Sequence, residues 1–131
     1  MASLIRSRVA SHRFAATTGQ LDNGAPVVSV VGEVDLATAP TLEQALLGAA
    51  DDRTGEVVVD LTGCSFMDSR GLHVLVATRE HLHRSDRPLA LVMADPSLLR
   101  IFRIMEVENL FQIYPTLGAL ADRGVDGIVD G

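Results

Sequence analysis

Apolar residues recur along this chain in two alternating rhythms. The runs Val27-Val28-Ser29-Val30-Val31, Val57-Val58-Val59 and Leu89-Ala90-Leu91-Val92-Met93 are short and rich in β-branched or aliphatic side chains. Such runs suit strands covered on both faces. Between them the spacing changes to three and four. Leu42, Ala45, Leu46 and Ala49 form one helical stripe, and Leu72, Leu75, Val76, Arg79 and Leu82 a second. Leu98, Leu99, Ile101, Phe102 and Met105 form a third and broader one.

Turn and cap residues punctuate these segments where the rhythm changes. Phe14 to Leu21 predicts a first strand, and Asp22-Asn23-Gly24 turns it into the second as a hairpin. Thr38-Ala39-Pro40 and Asp95-Pro96 announce helices, because proline loses nothing in a first turn whose amides have no partner. The apolar pattern of Val57–Val59 breaks over Asp60 to Met67, which reads as a polar turn. Asp68 or Ser69 is then the N-cap of the next helix. Leu110 to Tyr114 predicts a short edge strand, and Pro115-Thr116 opens a last helix with Leu117, Leu120 and Ala121.

Strands alternating with helices after an opening hairpin predict an α/β domain. Its sheet is mixed, parallel where helices connect strands and antiparallel at the hairpin. Residues 1–12 read as a flexible lead-in, 13–123 as the domain and 124–131 as a flexible tail rich in glycine and aspartate. Function in such sheets gathers at the carboxyl ends of strands. Asp35 and Ser69 each follow a strand into a helix, so they are expected to be neighbours in space.

At 131 residues and 47% hydrophobic composition, one domain with a real core is expected. No apolar run approaches the ~20 residues of a membrane span, and Met1 to Arg13 lacks the apolar stretch of a secretory signal. The single Cys64 has no disulfide partner in the chain, which fits a reducing cytoplasm. The net charge of -6 and the scattering of basic residues without aromatic neighbours argue against nucleic acid as a partner. All eleven basic residues are arginine. A lysine-dependent phosphate loop and Schiff-base chemistry are thereby excluded.

Several candidate chemistries weaken on spacing. Ser69 lacks a glycine two residues before it, so it does not fit a hydrolase nucleophile elbow, and no histidine is placed as its base. His81 and His83 do not share a helical face and have no cysteine or carboxylate at zinc-ligand spacing. Asp60, read as a strand-end aspartate, suits a phosphoreceiver only with an early acidic pair and a late lysine, and the chain has no lysine. No metal or cofactor is expected. Leu72 and Val76 fit an interface helix as well as a core helix.

Three stretches taken together resemble an anti-sigma factor antagonist of the STAS family, over roughly Phe14 to Arg123. They are Gly32-Glu33-Val34-Asp35 followed by Ala39-Pro40; Val59-Asp60-Leu61 followed by Phe66-Met67-Asp68-Ser69-Arg70-Gly71-Leu72; and Leu110-Phe111-Gln112-Ile113-Tyr114. The resemblance implies a four- to five-stranded sheet with about four packed helices and no catalysis by the domain itself. It implies that Ser69 is a phosphoacceptor for a partner that is both anti-sigma factor and serine kinase. The unphosphorylated form binds that partner and frees a sigma factor, and a serine phosphatase restores Ser69. By the same resemblance Asp35, Met67, Asp68, Arg70, Gly71 and Leu72 make the partner surface. Arg70 departs from the pattern, which usually has a second small hydroxyl residue there. The alternative is a stand-alone domain of this fold that binds a nucleotide, anion or lipid-like ligand, or scaffolds a signalling complex.

Overall fold

In the computed structural model, which describes the backbone of residues 14–52 and 55–130, five strands form one sheet in the order of the chain. The lead-in expected over residues 1–12 lies outside the described residues. Strands β1 (Ala15–Gln20) and β2 (Pro26–Val34) pair antiparallel, as the hairpin pattern predicts. Strands β3 (Val57–Met67), β4 (Leu89–Val92) and β5 (Gln112–Tyr114) follow in parallel register, with β5 at the edge. Helices α1 (Ala39–Asp52), α2 (Ser69–His83) and α3 (Pro96–Ile104) make the crossovers, and α4 (Leu117–Asp130) closes the chain.

The strand order dictates where the helices go. Each crossover advances one strand in the same direction, and right-handed crossovers that never reverse put their helices on one face. Leu42 and Leu46 of α1, Leu72, Leu75 and Leu82 of α2, and Leu98 and Phe102 of α3 accordingly share one core. Alternate strand residues meet them: Val28 and Val30, Val57 and Val59, Leu89 and Leu91. The residues between those, Val27, Val58, Ala90 and Val92, point to the other face and pack with Leu120 of α4. Both faces of the central strands are thus covered, which is why these runs are apolar without alternation.

One expectation is corrected. Asp60 to Met67 is not a turn; β3 runs unbroken from Val57 to Met67, and Asp60 lies within it. Its register against β2 skips twice, from Ser29–Asp60 to Val31–Gly63 and from Gly32–Cys64 to Glu33–Phe66. Each skip is a bulge that adds one residue to β3. The inward residues are therefore Val57, Val59, Leu61, Cys64 and Met67, all buried, and their spacing lengthens from two to three. A period-two reading loses such a strand at its first bulge. Asp60 spans that bulge, its Oδ1 accepting from the Thr62 amide at 3.0 Å and the Thr62 hydroxyl at 2.6 Å.

The last helix has its backbone helical from Leu117 to Asp130. Arg123 ties this helix to the sheet. Its guanidinium makes a bidentate pair with Glu56 at 2.9 Å through each nitrogen, donates to the Tyr114 hydroxyl at 3.2 Å and lies 5.1 Å from the centre of the Tyr114 ring. The hydrogen bonds to Glu56 hold that guanidinium charged, above its ordinary range.

Candidate functional site at the carboxyl edge of the sheet

Three segments leave the carboxyl ends of β2, β3 and β4, and each carries an aspartate that turns back on its own main chain. Asp35 Oδ1 accepts from the amides of Ala37 at 3.0 Å and Thr38 at 3.1 Å. Asp68 Oδ1 accepts from Arg70 at 2.9 Å and Gly71 at 3.3 Å. Asp95 Oδ1 accepts from Ser97 at 2.9 Å. A short side-chain oxygen here satisfies first-turn amides that have no helical partner. Asp68 is therefore the N-cap of α2, in extended backbone, and Ser69 is the first residue of the helix.

The Asp35 loop is fixed by a second interaction. The Thr38 hydroxyl accepts from the Asp35 amide at 2.9 Å and donates to the Glu33 carbonyl at 2.8 Å. The loop after β2 is thereby pinned to its own strand. The β2–β3 ladder then joins the two loops. Val34 pairs with Met67, and the Asp68 amide donates to the Val34 carbonyl at 3.0 Å. Asp35 and Ser69 are each the next residue along, so the structure brings together two positions 34 apart in sequence.

Gly71 sets how closely α2 meets those strand ends. A Cβ at this position would lie 2.5 Å from Met67 Cγ and 2.7 Å from Val34 Cγ1, closer than carbon atoms can pack. Hydrogen in place of a side chain lets the first turn of α2 rest directly on the ends of β2 and β3. The backbone carrying Ser69 is consequently held from below by packing and from within by the Asp68 cap.

Ser69 and Arg70 are exposed, and Asp35 and Asp68 are half-buried. Among the described residues, no hydrogen bond engages the Ser69 hydroxyl, and Arg70 forms no ion pair. Among the described residues no side chain is bonded to Ser69 as a base. Asp68 precedes Ser69 in the chain, and the β2–β3 pairing sets the Asp35 loop next to the Ser69 loop.

Met67, Gly71 and Leu72 do not present side chains to a partner. Met67 is fully buried, Leu72 is 3% exposed and Gly71 is closed in by Met67 and Val34. They position the surface from beneath it, because each lies on the side of its element that meets the core. The sequence reading missed Leu36, which follows Asp35 and is 63% exposed. An apolar residue in a strand-to-helix loop, outside either periodic stripe, was the available signal. Phe66, 42% exposed, is another large apolar side chain on β3 next to this edge.

Beneath the edge, Cys64 is buried and its thiol donates to the Phe66 carbonyl at 3.3 Å. Burial pushes the thiol above its ordinary range; the bond to Phe66 opposes this, and the carboxylates of Asp95 and Glu33 add to it. Burial thereby favours the protonated thiol. Among the described residues, no group of three or more histidine, cysteine or carboxylate side chains is gathered to hold a metal ion. No helix among them is long and apolar enough to cross a membrane.

A family model described as the STAS domain matches residues 18–120. The chain is 34% identical over 86 residues to an anti-sigma-B factor antagonist of Staphylococcus aureus (strain NCTC 8325 / PS 47), covering 66% of this chain and 80% of that protein. It is 34% identical over 95 residues to an anti-sigma-F factor antagonist of Mycobacterium tuberculosis (strain CDC 1551 / Oshkosh), covering 72% of this chain and 77% of that one. The crystal structure of an anti-sigma factor antagonist from Mycobacterium paratuberculosis superposes with a TM-score of 0.74 at 35% identity, over 83% of this chain and 92% of that one.

Proposed function

The chain belongs to the STAS domain family, and from that premise we propose that it is an anti-sigma factor antagonist switched by phosphorylation of Ser69. In the unphosphorylated state it binds an anti-sigma factor that is also a serine kinase, so that a sigma factor is released. A serine phosphatase returns the phosphorylated form to this state. The observation that carries the proposal is the setting of Ser69: an exposed hydroxyl with no hydrogen-bond partner among the described residues, on a helix start fixed by Asp68 and Gly71.

The transfer needs little from this chain. Ser69 Oγ attacks the γ-phosphorus of ATP held by the kinase, the new O–P bond forms as the bond to ADP breaks, and the hydroxyl proton passes to a base of the kinase. What this chain supplies is position. A serine whose backbone is locked on both sides reaches an external active site without the entropy cost of ordering a loop.

The phosphate adds about -1.5 to -2 charge at neutral pH. The helix N-terminus favours that charge, while the amides nearest it are already taken by Asp68 and the carboxylates of Asp35 and Asp68 repel it. These effects oppose one another, so the fold is retained and the change is felt at the surface. Leu36, Ser69 and Arg70 form the contact that a partner must cover. A bulky dianion in its middle costs desolvation and repels an acidic partner surface. Binding by Ser69→Ala and Ser69→Asp variants tests this: alanine should keep the complex and block modification, and aspartate should weaken the complex. A Ser69→Asp variant that bound as tightly as wild type would contradict the proposal.

A further inference from the structure

A cleft of about 320 Å³ opens at the opposite pole of the domain, at the amino ends of β4 and β5. Arg79 and His83 from the last turns of α2 and Arg87 from the loop before β4 line it on one side. Asn109 and Gln112 offer carboxamides from the other, and Leu110 and Phe111 supply an apolar wall. Among the described residues no carboxylate lines this cleft, although the chain has 17 acidic residues and a net charge of -6. Positive charge is concentrated here against the average of the molecule.

The carbonyl ends of helices account for only part of this arrangement. Arg87 donates through Nε to the Gly55 carbonyl at 2.9 Å and through Nη1 to the Ala50 carbonyl in α1 at 2.8 Å. Those bonds fix the guanidinium and neutralise the end of α1. Its Nη2 is shielded from solvent and has no hydrogen-bond partner among the described residues. Arg79 is half-buried yet makes no hydrogen bond or ion pair among the described residues.

We propose that this cleft is a binding site for a small phosphate monoester, with the phosphoryl group toward Arg79, His83 and Arg87 and its organic body against Leu110 and Phe111. Arginine is the side chain whose planar fork matches phosphate oxygens, and carboxamides complete the donors around a tetrahedral anion. The volume is at the low end for ligand sites, which selects a small molecule. The site is separate from Ser69: the two ends of α2 are about 21 Å apart at 1.5 Å per residue. One helix thus carries the phosphoacceptor at its start and the anion cleft at its finish.

Titration of the full chain with phenyl phosphate, followed by backbone-amide NMR, tests the site, with inorganic phosphate and phenol as the separated halves of the probe. Phenyl phosphate should saturate shifts confined to residues 79–89 and 108–112, bind about tenfold more tightly than inorganic phosphate and leave the amides of Asp35 and Ser69 unmoved. Phenol should produce no saturable shift. Arg79→Gln should weaken phenyl phosphate about tenfold or more, and Asn109→Asp, which puts a carboxylate into the wall, should abolish it. Neither variant removes a hydrogen bond seen in the fold, unlike a change at Arg87. The proposal is overturned if no shift saturates by about 20 mM, far weaker than the millimolar range of a weak specific ligand. Shifts centred on Ser69, or an unchanged affinity in both variants with native spectra, would overturn it as well.

Discussion

The amide of Asp68 donates to the carbonyl of Val34 at 3.0 Å, one step beyond the last register pair of β2 and β3, Val34 and Met67. This single bond carries the sheet into the first turn of α2. It joins the Asp35 and Ser69 loops at one edge of the sheet.

Asp68→Ala removes the acceptor for two first-turn amides of α2. The expected loss is about 1 kcal/mol of unfolding free energy, with faster amide exchange at Arg70 and Gly71. Denaturant unfolding and hydrogen exchange read the two effects. An unchanged midpoint would mean that the cap is not what fixes Ser69.

Gly71→Ala sets two principles against each other. In an exposed helix alanine would gain about 1 kcal/mol over glycine, but here the added carbon meets Met67 and Val34 at 2.5 and 2.7 Å. Overpacking costs about 1–3 kcal/mol, so the variant should be net destabilised despite its better propensity. Its melting temperature decides the sign, and a stabilised variant would contradict the close approach of α2 to the strand ends.

Cys64 should resist thiol reagents in the native state and react on unfolding, because burial holds it protonated. The sign of its pH dependence follows from a folded-state pKa raised above the unfolded one. Stability from this thiol is complete below the unfolded pKa and is lost as pH rises through the folded one. The stability gap between wild type and Cys64→Ala should therefore narrow between about pH 8 and pH 10, where free thiols titrate. A gap that widened would reverse the assignment.

Arg123→Ala breaks the pair with Glu56 and the contact with Tyr114. With the guanidinium side chain 36% exposed and Glu56 14% exposed, solvent screening limits the expected loss to about 1 kcal/mol. The effect should shrink at high salt. Denaturant unfolding at low and high salt checks both, and a salt-independent loss would point to packing of α4 instead of charge.

Much of this architecture was legible because apolar periodicity and cap residues report on local structure directly. The Asp22-Asn23-Gly24 turn, Pro40 and Pro96 marked real boundaries, and the alternation of elements implied the mixed sheet. The second half of β3 was hidden because its two bulges change the inward spacing from two to three, at Leu61, Cys64 and Met67. Ser69 and Asp35 were expected at one sheet edge because each follows a strand into a helix, and the β2–β3 pairing sets their loops side by side. Burial was not legible in the same way. Met67, Gly71 and Leu72 sit inside the same short motif as Ser69, and only the packing of α2 on Val34 and Met67 separates the residues that hold the surface from those that form it. Arg87 read as part of a polar turn, since its bonds to Ala50 and Gly55 join segments more than thirty residues away.

The most direct test of the switch follows one sample through its cycle. The full chain is mixed with its kinase partner and ATP, complex formation is measured before and after, and phosphate is located by peptide mass mapping. One phosphate on Ser69, with loss of the complex and unchanged far-ultraviolet circular dichroism, is the predicted result. Phosphate at another residue, or a complex that persists with Ser69 fully modified, would contradict it.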